Sequence, residues 1–252
     1  MGNVAVFFDI DGTLYRDSLM IAHMDQLINK KIIPKSVYWD EIKPLNDARK
    51  NREIDYESYL AKLINIYNYY LQQTSVDVID KCATKAISLI SKHVYNFTKT
   101  AINYHKSQNH KVIFISGSPD FMVERMGNVY DADLSFGSVY ITKDNVYTGE
   151  IVPLWDHASK NKMIERLVKN HDLELSKCYS YGDTHGDLEM LRRVGHPTAI
   201  NPSAELISKI RSDDHLKKKT SIIVERKDVI YPIGKTTLRN LKFFNELEGL
   251  DE

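Results

Sequence analysis

Two carboxylates follow an unbroken apolar run near the start of the chain. The run Val4-Ala5-Val6-Phe7-Phe8 is typical of a strand buried on both faces, and Asp9 and Asp11 come directly after it. A strand's period of two places these carboxylates on the same side, where like charges are unfavourable unless a cation lies between them or one is protonated. With the sharp turn at Gly12 and the hydroxyl of Thr13, the pattern predicts a hard cation beside an anionic group. A capped turn with two solvated aspartates is the plainer alternative.

A second buried-strand pattern covers residues 111–116 and ends in the turn Ser116-Gly117-Ser118. Ser116 offers a hydroxyl, and Gly117 allows the backbone to approach an anion closely. Free N–H groups at such a strand-to-helix turn form an anion cradle. A helix N-cap by Ser116 or Ser118 explains the same residues equally well.

Two lysines stand at the start of a helix that the periodicity predicts over residues 159–171, with Ser159 as its N-cap. They are Lys160 and Lys162. A cation at a helix N-terminus is slightly unfavourable through the macrodipole, so a lysine here invites a functional explanation. A solvated surface lysine is the ordinary alternative at either position.

A third group of polar residues follows a short strand pattern over residues 178–181. Asp183 comes directly after this strand, and Asp187 stands four residues further on. A helix N-cap at Asp183 with Asp187 in the first turn is physically reasonable. His185 lies between them, but a hard cation prefers oxygen ligands, so His185 is not expected to be a metal ligand.

Taken together and in this order, these groups resemble the haloacid dehalogenase-like (HAD) superfamily, whose members mostly hydrolyse phosphate esters. The resemblance covers residues 4–14 and roughly 111–202, and a helical insertion after the first group completes it. Residues 131–151, with Thr148-Gly149-Glu150, and residues 195–202 look like the phosphoserine phosphatase-like branch.

The resemblance implies a role for each acidic residue. Asp9 is the expected nucleophile, which forms an aspartyl-phosphate, and Asp11 is the expected general acid and base. The expected cofactor is Mg²⁺, bound by the Asp9 carboxylate, the Asp11 backbone carbonyl and the Asp183 carboxylate. Asp187 is expected to hold a metal-bound water or to orient Lys160. The presence of Asp11 favours ester hydrolysis over dehalogenation, because ester leaving groups need an acid.

The resemblance also implies which residues bind the phosphoryl oxygens. These are Thr13, Ser116, Gly117 and Lys160. Lys162 is the second choice for the lysine, and Ser118 for the serine of the second strand. The expected partner is therefore a small phosphorylated substrate.

Strand and helix patterns alternate through most of the chain and predict an α/β fold with a Rossmann-like, doubly wound parallel sheet. Residues 1–14 and 97–252 form its expected core domain. Residues 15–96 carry helical spacing and no strand pattern, so they are expected to form an inserted α-helical cap domain with tyrosine-rich packing faces. A small antiparallel pair is predicted around Asp144, and an amphipathic helix over residues 236–247.

Bulk composition excludes several classes of protein. The 252 residues carry 34 basic and 34 acidic side chains, which gives no electrostatic case for nucleic acid or a membrane surface as partner. The only basic cluster, residues 217–219, is expected in an exposed loop. Two cysteines without metal-type spacing favour a reducing cytoplasm, and no apolar run approaches the ~18 residues of a membrane helix.

The substrate and the exact activity remain open at this level. Phosphoserine phosphatases carry a Glu shortly after the first group, where this chain has Asp17-Ser18. Arg49 and Arg52 are candidates for a substrate-binding arginine, although surface positions are the ordinary explanation for both. A phospho-alcohol, sugar phosphate or glycerophospho-compound is as reasonable as phosphoserine. The alternatives to a phosphatase are a phosphotransferase with the same intermediate, a catalytically silent phosphate-binding module and a structural protein.

Overall fold

The protein is built around one eight-stranded sheet. The computed structural model describes residues 3–234 and 237–238, without the side chains of Tyr56 and Glu57. The strands are β1 (Ala5–Phe8), β2 (Lys111–Pro119), β3 (Leu134–Lys143), β4 (Val146–Val152), β5 (Tyr179–Gly182), β6 (His196–Ile200), β7 (Ser221–Arg226) and β8 (Val229–Ile233). Across the sheet they lie in the order β4-β3-β2-β1-β5-β6-β7-β8.

The strands from β3 across β1 to β7 are parallel, and β4 and β8 pair antiparallel at the two edges. β1 lies inside the sheet and is buried along its whole length, which explains its uninterrupted apolar sequence. The chain winds outward from β1 through β2 and β3 on one side and through β5, β6 and β7 on the other. The predicted doubly wound, Rossmann-like α/β fold is confirmed. Ligands of such sheets bind beyond the carboxyl ends of the strands at this reversal of strand order.

Helices fill the segments between the strands. They are α1 (Leu19–Asn29), α2 (Lys35–Val37), α3 (Lys43–Lys50), α4 (Tyr56–Leu71), α5 (Val76–Ile90), α6 (Asn96–Ser107), α7 (Asp120–Tyr130), α8 (His157–His171), α9 (Leu188–Arg193), α10 (Ala204–Ser212) and α11 (Asp214–Lys219). A π-helical turn (Tyr38–Ile42) joins α2 to α3, and 3₁₀ turns (Leu175–Lys177 and His185–Asp187) precede β5 and α9. None of these helices is long and apolar enough to cross a membrane.

The helical segment from α1 to α5 and the β3–β4 hairpin together form a second hydrophobic core. Tyr67 of α4 is fully buried there together with Tyr140 and Tyr147 of the hairpin. The rings of Tyr67 and Tyr140 meet edge to face at a centroid distance of 5.8 Å. Asn68 Nδ2 donates a hydrogen bond to the carbonyl oxygen of Gly149 at 2.8 Å. The tyrosine stripe is therefore a packing face, as its spacing indicates.

The helix that carries Lys160 begins earlier than predicted. Asp156, not Ser159, is the N-cap of α8, and its carboxylate accepts a hydrogen bond from the Ser159 backbone N–H at 2.8 Å. Both residue types make good N-caps, and Asp156 is the one that keeps an extended backbone. The predicted cap is wrong, and Lys160 lies beyond the first residues of the helix, where the macrodipole acts most strongly.

The last part of the described chain contains elements that the sequence patterns do not predict, namely β8 and α11. The basic cluster at residues 217–219 forms the last turn of α11 and not a loop, so that prediction is wrong. Lys219 Nζ donates hydrogen bonds to the carbonyl oxygens of Arg192 and Val194, each at 2.8 Å. The helix predicted over residues 236–247 lies outside the described residues, apart from 237–238.

A buried histidine joins three helices of the helical segment. His23 of α1 is fully buried. Its Nε2 lies 3.2 Å from the carbonyl oxygen of Ile79, and its Nδ1 lies 2.6 Å from the hydroxyl of Tyr67. A carbonyl only accepts, so Nε2 carries the hydrogen and Nδ1 accepts from Tyr67. Burial lowers the pKa of His23 to about 4.

This depressed pKa predicts a loss of stability in acid. The unfolded chain binds a proton at His23 below a pH of about 6.5, whereas the folded chain resists it until about pH 4. His23 therefore contributes stability above pH 6.5 that is lost as the pH falls, by about 2 kcal/mol between pH 7 and pH 5. Urea unfolding at both pH values should show this drop in the wild type and a drop smaller by that amount in His23→Gln. The matched control is His93→Gln at an exposed position, and an equal drop in His23→Gln and the wild type would contradict the assignment.

Candidate active site

The predicted site residues meet at the carboxyl end of the central strands. Asp9 follows β1, and Asp183 follows β5, which pairs with β1 in register Phe8↔Tyr181. Ser116 lies in β2, which pairs with β1 on the other side in register Phe8↔Phe114. The backbone N–H of Asp9 donates a hydrogen bond to the carbonyl oxygen of Tyr181 at 3.0 Å, which fixes the first carboxylate against β5. The site therefore lies where the strand order reverses.

A buried ammonium links two of the carboxylates. Lys160 Nζ lies 2.7 Å from Asp9 Oδ1 and 2.6 Å from Asp187 Oδ1. All three side chains are almost completely buried. Lys162, the alternative lysine, is exposed. The structure therefore brings Lys160, and not Lys162, to the acidic residues.

Burial and the neighbouring charges set the pKa values of this cluster. Burial alone would lower the pKa of Lys160, but the carboxylates of Asp187 and Asp9 outweigh it and raise that pKa above its ordinary value. Burial raises the pKa of Asp9, opposed by the Lys160 ammonium and reinforced by Asp187 and Asp11. Burial, with the charges of Asp187 and Asp9, also holds the pKa of Asp183 well above its usual range. The raised pKa values of Asp9 and Asp183 follow from burial and from the presence of three carboxyl groups beside one ammonium.

Asp187 holds the parts of the site together. Its Oδ1 binds Lys160, while its Oδ2 accepts hydrogen bonds from the backbone N–H groups of Asp183 and Thr184 at 3.0 and 3.1 Å. Together with Thr184 it forms a capping box at the 3₁₀ turn that leads into α9. Both oxygens of Asp187 therefore accept hydrogen bonds from protein donors, one of which is Lys160.

The donor set suits a hard divalent cation. Carboxylate oxygens of Asp9, Asp183 and Asp187 lie within 4.8 Å of one another. Because Asp187 is engaged on both oxygens, Asp9 and Asp183 are the carboxylates left to bind an ion. Asp183 Oδ1 accepts a hydrogen bond from the Thr13 hydroxyl at 3.1 Å, which orients it. Oxygen donors and uncompensated buried negative charge are what Mg²⁺ requires of a protein site.

Asp11 makes its hydrogen bonds with residues outside this cluster, in β2 and at the start of α1. Its Oδ2 accepts hydrogen bonds from the hydroxyls of Ser118 at 2.6 Å and Ser18 at 3.1 Å. Its Oδ1 accepts one from the backbone N–H of Leu19 at 3.0 Å. Burial raises the pKa of Asp11, and the three hydrogen bonds oppose that rise. The two carboxylates of the first group are therefore in different environments, as separate chemical roles require.

The glycines of the site are needed for close packing of its loops. Gly12 has a φ of +79°, and a Cβ there would stand 2.2 Å from Asp183 Oδ2. A Cβ on Gly117 would stand 2.8 Å from the Cβ of Trp155, in the segment that leads into α8. The space beside Gly117 on that side is filled by protein. The absence of a side chain at Gly117 therefore allows the segment before α8 to pack against β2. This role is additional to the one expected from the sequence, in which Gly117 lets the backbone approach an anion closely.

The serines of the second strand take different positions. β2 continues to Pro119, three residues beyond the predicted strand end, with an irregular pairing to β3. Ser116 is fully buried, and its Oγ accepts a hydrogen bond from the Ser118 backbone N–H at 3.2 Å. The Ser118 hydroxyl is directed at Asp11. Among the described contacts, the Ser118 hydroxyl donates to Asp11, whereas the Ser116 hydroxyl only accepts. Ser116 is therefore the serine that can donate a hydrogen bond to a ligand.

Some contacts of the site are not evident from the sequence patterns. Ser18 and Leu19 contact Asp11, yet they lie at the start of a helix whose spacing shows only packing residues. A Ser directly before a helical pattern is an N-cap signal, but here its hydroxyl bonds Asp11 and not the helix backbone. His185 lies 3.5 Å from Glu205 and takes no part in the carboxylate cluster.

Two proteins with related sequences align with most of this chain. A protein from Streptomyces azureus, described as an inhibition of morphological differentiation protein, is 27% identical over 208 residues, which is 80% of this chain and 73% of that protein. A probable phosphatase from Mycobacterium tuberculosis is 25% identical over 207 residues, which is 80% of this chain and 70% of that protein.

The fold is also shared with a solved structure. A phosphoserine phosphatase carrying an analogue of its phospho-aspartyl intermediate aligns with a TM-score of 0.59 and 19% identity, over 96% of this chain and 100% of that one. A family model for the haloacid dehalogenase-like hydrolases matches residues 6–192, which include Asp9, Lys160 and Asp187. The resemblance seen in the sequence is thus confirmed: the chain belongs to the haloacid dehalogenase-like hydrolase family and has a phosphoserine phosphatase-like fold.

Proposed function

We propose that this hydrolase is a Mg²⁺-dependent phosphomonoesterase that acts on a small phosphorylated metabolite through an aspartyl-phosphate on Asp9. The observation that carries the proposal is the buried contact between Asp9 and Lys160 at 2.7 Å, beside the uncompensated carboxylate of Asp183. One oxygen of the nucleophile is held by the ammonium, which leaves the other free to attack phosphorus in line. The name of the M. tuberculosis relative and the intermediate analogue of the solved phosphatase support the same chemistry.

The proton transfers fall to Asp11. In the first step its carboxyl gives a proton to the leaving alcohol as Asp9 attacks, and in the second it takes a proton from the water that hydrolyses the aspartyl-phosphate. Lys160 neutralises charge on the phosphoryl oxygens during both steps. Thr13, Ser116 and the Gly117 backbone complete the phosphoryl-binding set that the resemblance implies.

The residues that would hold Mg²⁺ are the carboxylates of Asp9 and Asp183 and the backbone carbonyl of Asp11. When bound, the ion supplies positive charge that offsets the carboxylates and the phosphoryl group. Asp187 acts on Lys160 in this scheme and does not bind the ion, since protein donors occupy both its oxygens.

The helical segment of residues 15–96 is proposed to cover the site as a cap and to select the substrate. Its support is that Ser18 and Leu19, at its beginning, contact Asp11 directly. Excluding water from the site would strengthen the interactions of Asp9 and Lys160 with the phosphoryl group. Phosphoserine, other phospho-alcohols, sugar phosphates and glycerophospho-compounds are the substrate classes to compare.

The direct test is phosphate release from a panel of these phosphomonoesters and a generic aryl phosphate, with Mg²⁺ and with chelator. Release that requires Mg²⁺ is the expected result, and the preferred ester identifies the substrate class. No release from any ester would contradict the proposal. Faster release on adding an acceptor alcohol would indicate a phosphotransferase that uses the same intermediate.

Replacing the nucleophile should abolish turnover and leave the fold intact. Asp9→Asn removes the attacking carboxylate, and we expect phosphate release to fall to background with an unchanged circular dichroism spectrum. Asp40→Asn, at an exposed position of the helical segment, is the control and should retain full activity. Near-wild-type activity of Asp9→Asn would show that another group attacks phosphorus.

The two lysines of α8 make a matched pair. Lys160→Ala removes the buried ammonium, and we expect kcat/KM to fall by a factor that corresponds to about 2–4 kcal/mol of transition-state stabilisation. Lys162→Ala, two residues away and exposed, should leave kcat/KM unchanged. The reverse result would move the phosphoryl-binding role to Lys162.

The metal site gives a prediction that does not depend on turnover. Mg²⁺ at 100 times its Kd should stabilise the wild type by about 2.7 kcal/mol, seen as a rise in Tm. Asp183→Asn should lose most of this rise, because it removes one of the carboxylates proposed to bind the ion. In chelator the same variant should be more stable than the wild type, since it relieves buried repulsion with Asp187 and Asp9. Equal Mg²⁺ stabilisation of both proteins would refute this metal site.

A further inference from the structure

Three hydrogen-bond donors converge on the carboxylate of Asp11. Ser118 donates to Oδ2 at 2.6 Å, Ser18 donates to the same oxygen at 3.1 Å, and the Leu19 backbone N–H donates to Oδ1 at 3.0 Å. Neither the ammonium of Lys160 nor another carboxylate is within hydrogen-bond distance of Asp11 among the described contacts. Its position is therefore set by these donors.

The donors come from two different parts of the molecule. Ser118 belongs to β2, is 4% exposed, and is fixed by the bond from its own backbone N–H to Ser116 Oγ at 3.2 Å. Ser18 is the N-cap and Leu19 the first residue of α1, which begins the helical segment. The Ser18 side chain makes no capping bond to its own helix, although this is the usual role of a serine at that position. Asp11 instead receives both the hydroxyl and the first N–H of the helix.

We propose that Ser118 and Ser18 are positioning residues that hold Asp11 in the orientation needed for proton transfer, so that the general acid is aligned only while the start of α1 is docked on β2. This inference rests on the proposed function and adds to it the groups that position the acid. Neither serine belongs to the phosphoryl-binding set proposed above, which contains Ser116. Each acts through Asp11.

The arrangement also indicates which oxygen carries the proton. A backbone N–H can only donate, so Oδ1 must remain an acceptor towards Leu19. The carbonyl oxygen of a protonated carboxyl is the better acceptor, which leaves the proton on Oδ2. Serine hydroxyls both donate and accept, so Ser118 and Ser18 can keep contact with Oδ2 when its proton passes to the leaving alcohol and when it takes a proton from water.

The alternative is that the serines only cap α1 and stabilise the fold. Leaving-group dependence distinguishes the two roles, because an alkoxide needs a proton to depart whereas an acidic phenol does not. The kcat/KM values of an alkyl phosphate and of p-nitrophenyl phosphate report the step in which the ester oxygen leaves. A purely structural defect lowers both values by the same factor.

The experiment compares Ser118→Ala and Ser18→Ala with the wild type on both esters, with Mg²⁺ present. We expect roughly a tenfold or greater loss of kcat/KM for the alkyl ester, which is part of the full effect of a general acid, and a loss below about threefold for the aryl ester. Ser18→Thr keeps a hydroxyl and a favourable N-cap residue, and should restore the alkyl rate. Ser88→Ala, on the exposed side of α5, should change neither rate.

Each outcome decides between the roles. Equal losses on the two esters, or no loss on either, would overturn the positioning role and leave the proposed phosphatase in place. Absence of phosphate release by the wild type from both esters would overturn the proposed function together with this inference. If circular dichroism shows that Ser118→Ala does not fold, the comparison of Ser18→Ala with Ser18→Thr provides the same test at a half-buried position.

Discussion

Buried negative charge at the ends of β1 and β5 is the constraint on which the rest of the site depends. Asp9, Asp183 and Asp187 bring carboxylate oxygens within 4.8 Å of one another. Among the described residues, Lys160 is the one lysine that is buried, and its ammonium contacts two of these carboxylates. Such a cluster is costly without a further cation, because each carboxylate loses its hydration. The cluster therefore lowers the stability of the folded protein, which is common at functional sites.

The surrounding structure holds this unfavourable cluster in place with neutral donors. Backbone N–H groups of the loop after β5 bind Asp187, and the Thr13 hydroxyl binds Asp183. Gly12 leaves room for the Asp183 carboxylate, which a larger residue would displace. Hydrogen bonds to the charged form of an acid offset part of the loss of water. The site is thus pre-organised by its loops before any substrate arrives.

The helical segment is attached to the core beside this site, at both of its ends. Tyr95 donates its backbone N–H to the carbonyl oxygen of Leu14 at 2.9 Å, so the outgoing chain pairs with the incoming one. Arg16 forms an ion pair with Glu225 of β7 at 2.5 Å. The buried Glu225 carboxylate also accepts hydrogen bonds from the first backbone N–H groups of α6. These contacts fix both ends of the helical segment to the core.

Helices and strands are predictable from the sequence where the local pattern of residues favours a single type of secondary structure. The apolar run before Asp9 is the buried strand β1, and the turn at Asp144 lies between β3 and β4, both as predicted. Element boundaries were less predictable, because Asp156 and Ser159 are both good N-caps and only the path of the chain into α8 selects Asp156. β8 has an apolar sequence, but Pro232 within it argues against a strand, and only its position at the edge of the sheet accommodates that proline.

The doubly wound fold and the set of chemical groups can be read from the amino-acid sequence, because strand burial and the residues at strand ends are properties of short stretches of chain. Which of these groups contact one another depends on how the elements pack. Lys160 is the first and Lys162 the second choice from the sequence, and the packing of α8 against the sheet places Lys160 in the cluster and leaves Lys162 exposed. The contact of Ser118 with Asp11 likewise joins residues that are 107 positions apart along the chain. Such contacts depend on how the elements pack together, which no single stretch of sequence specifies.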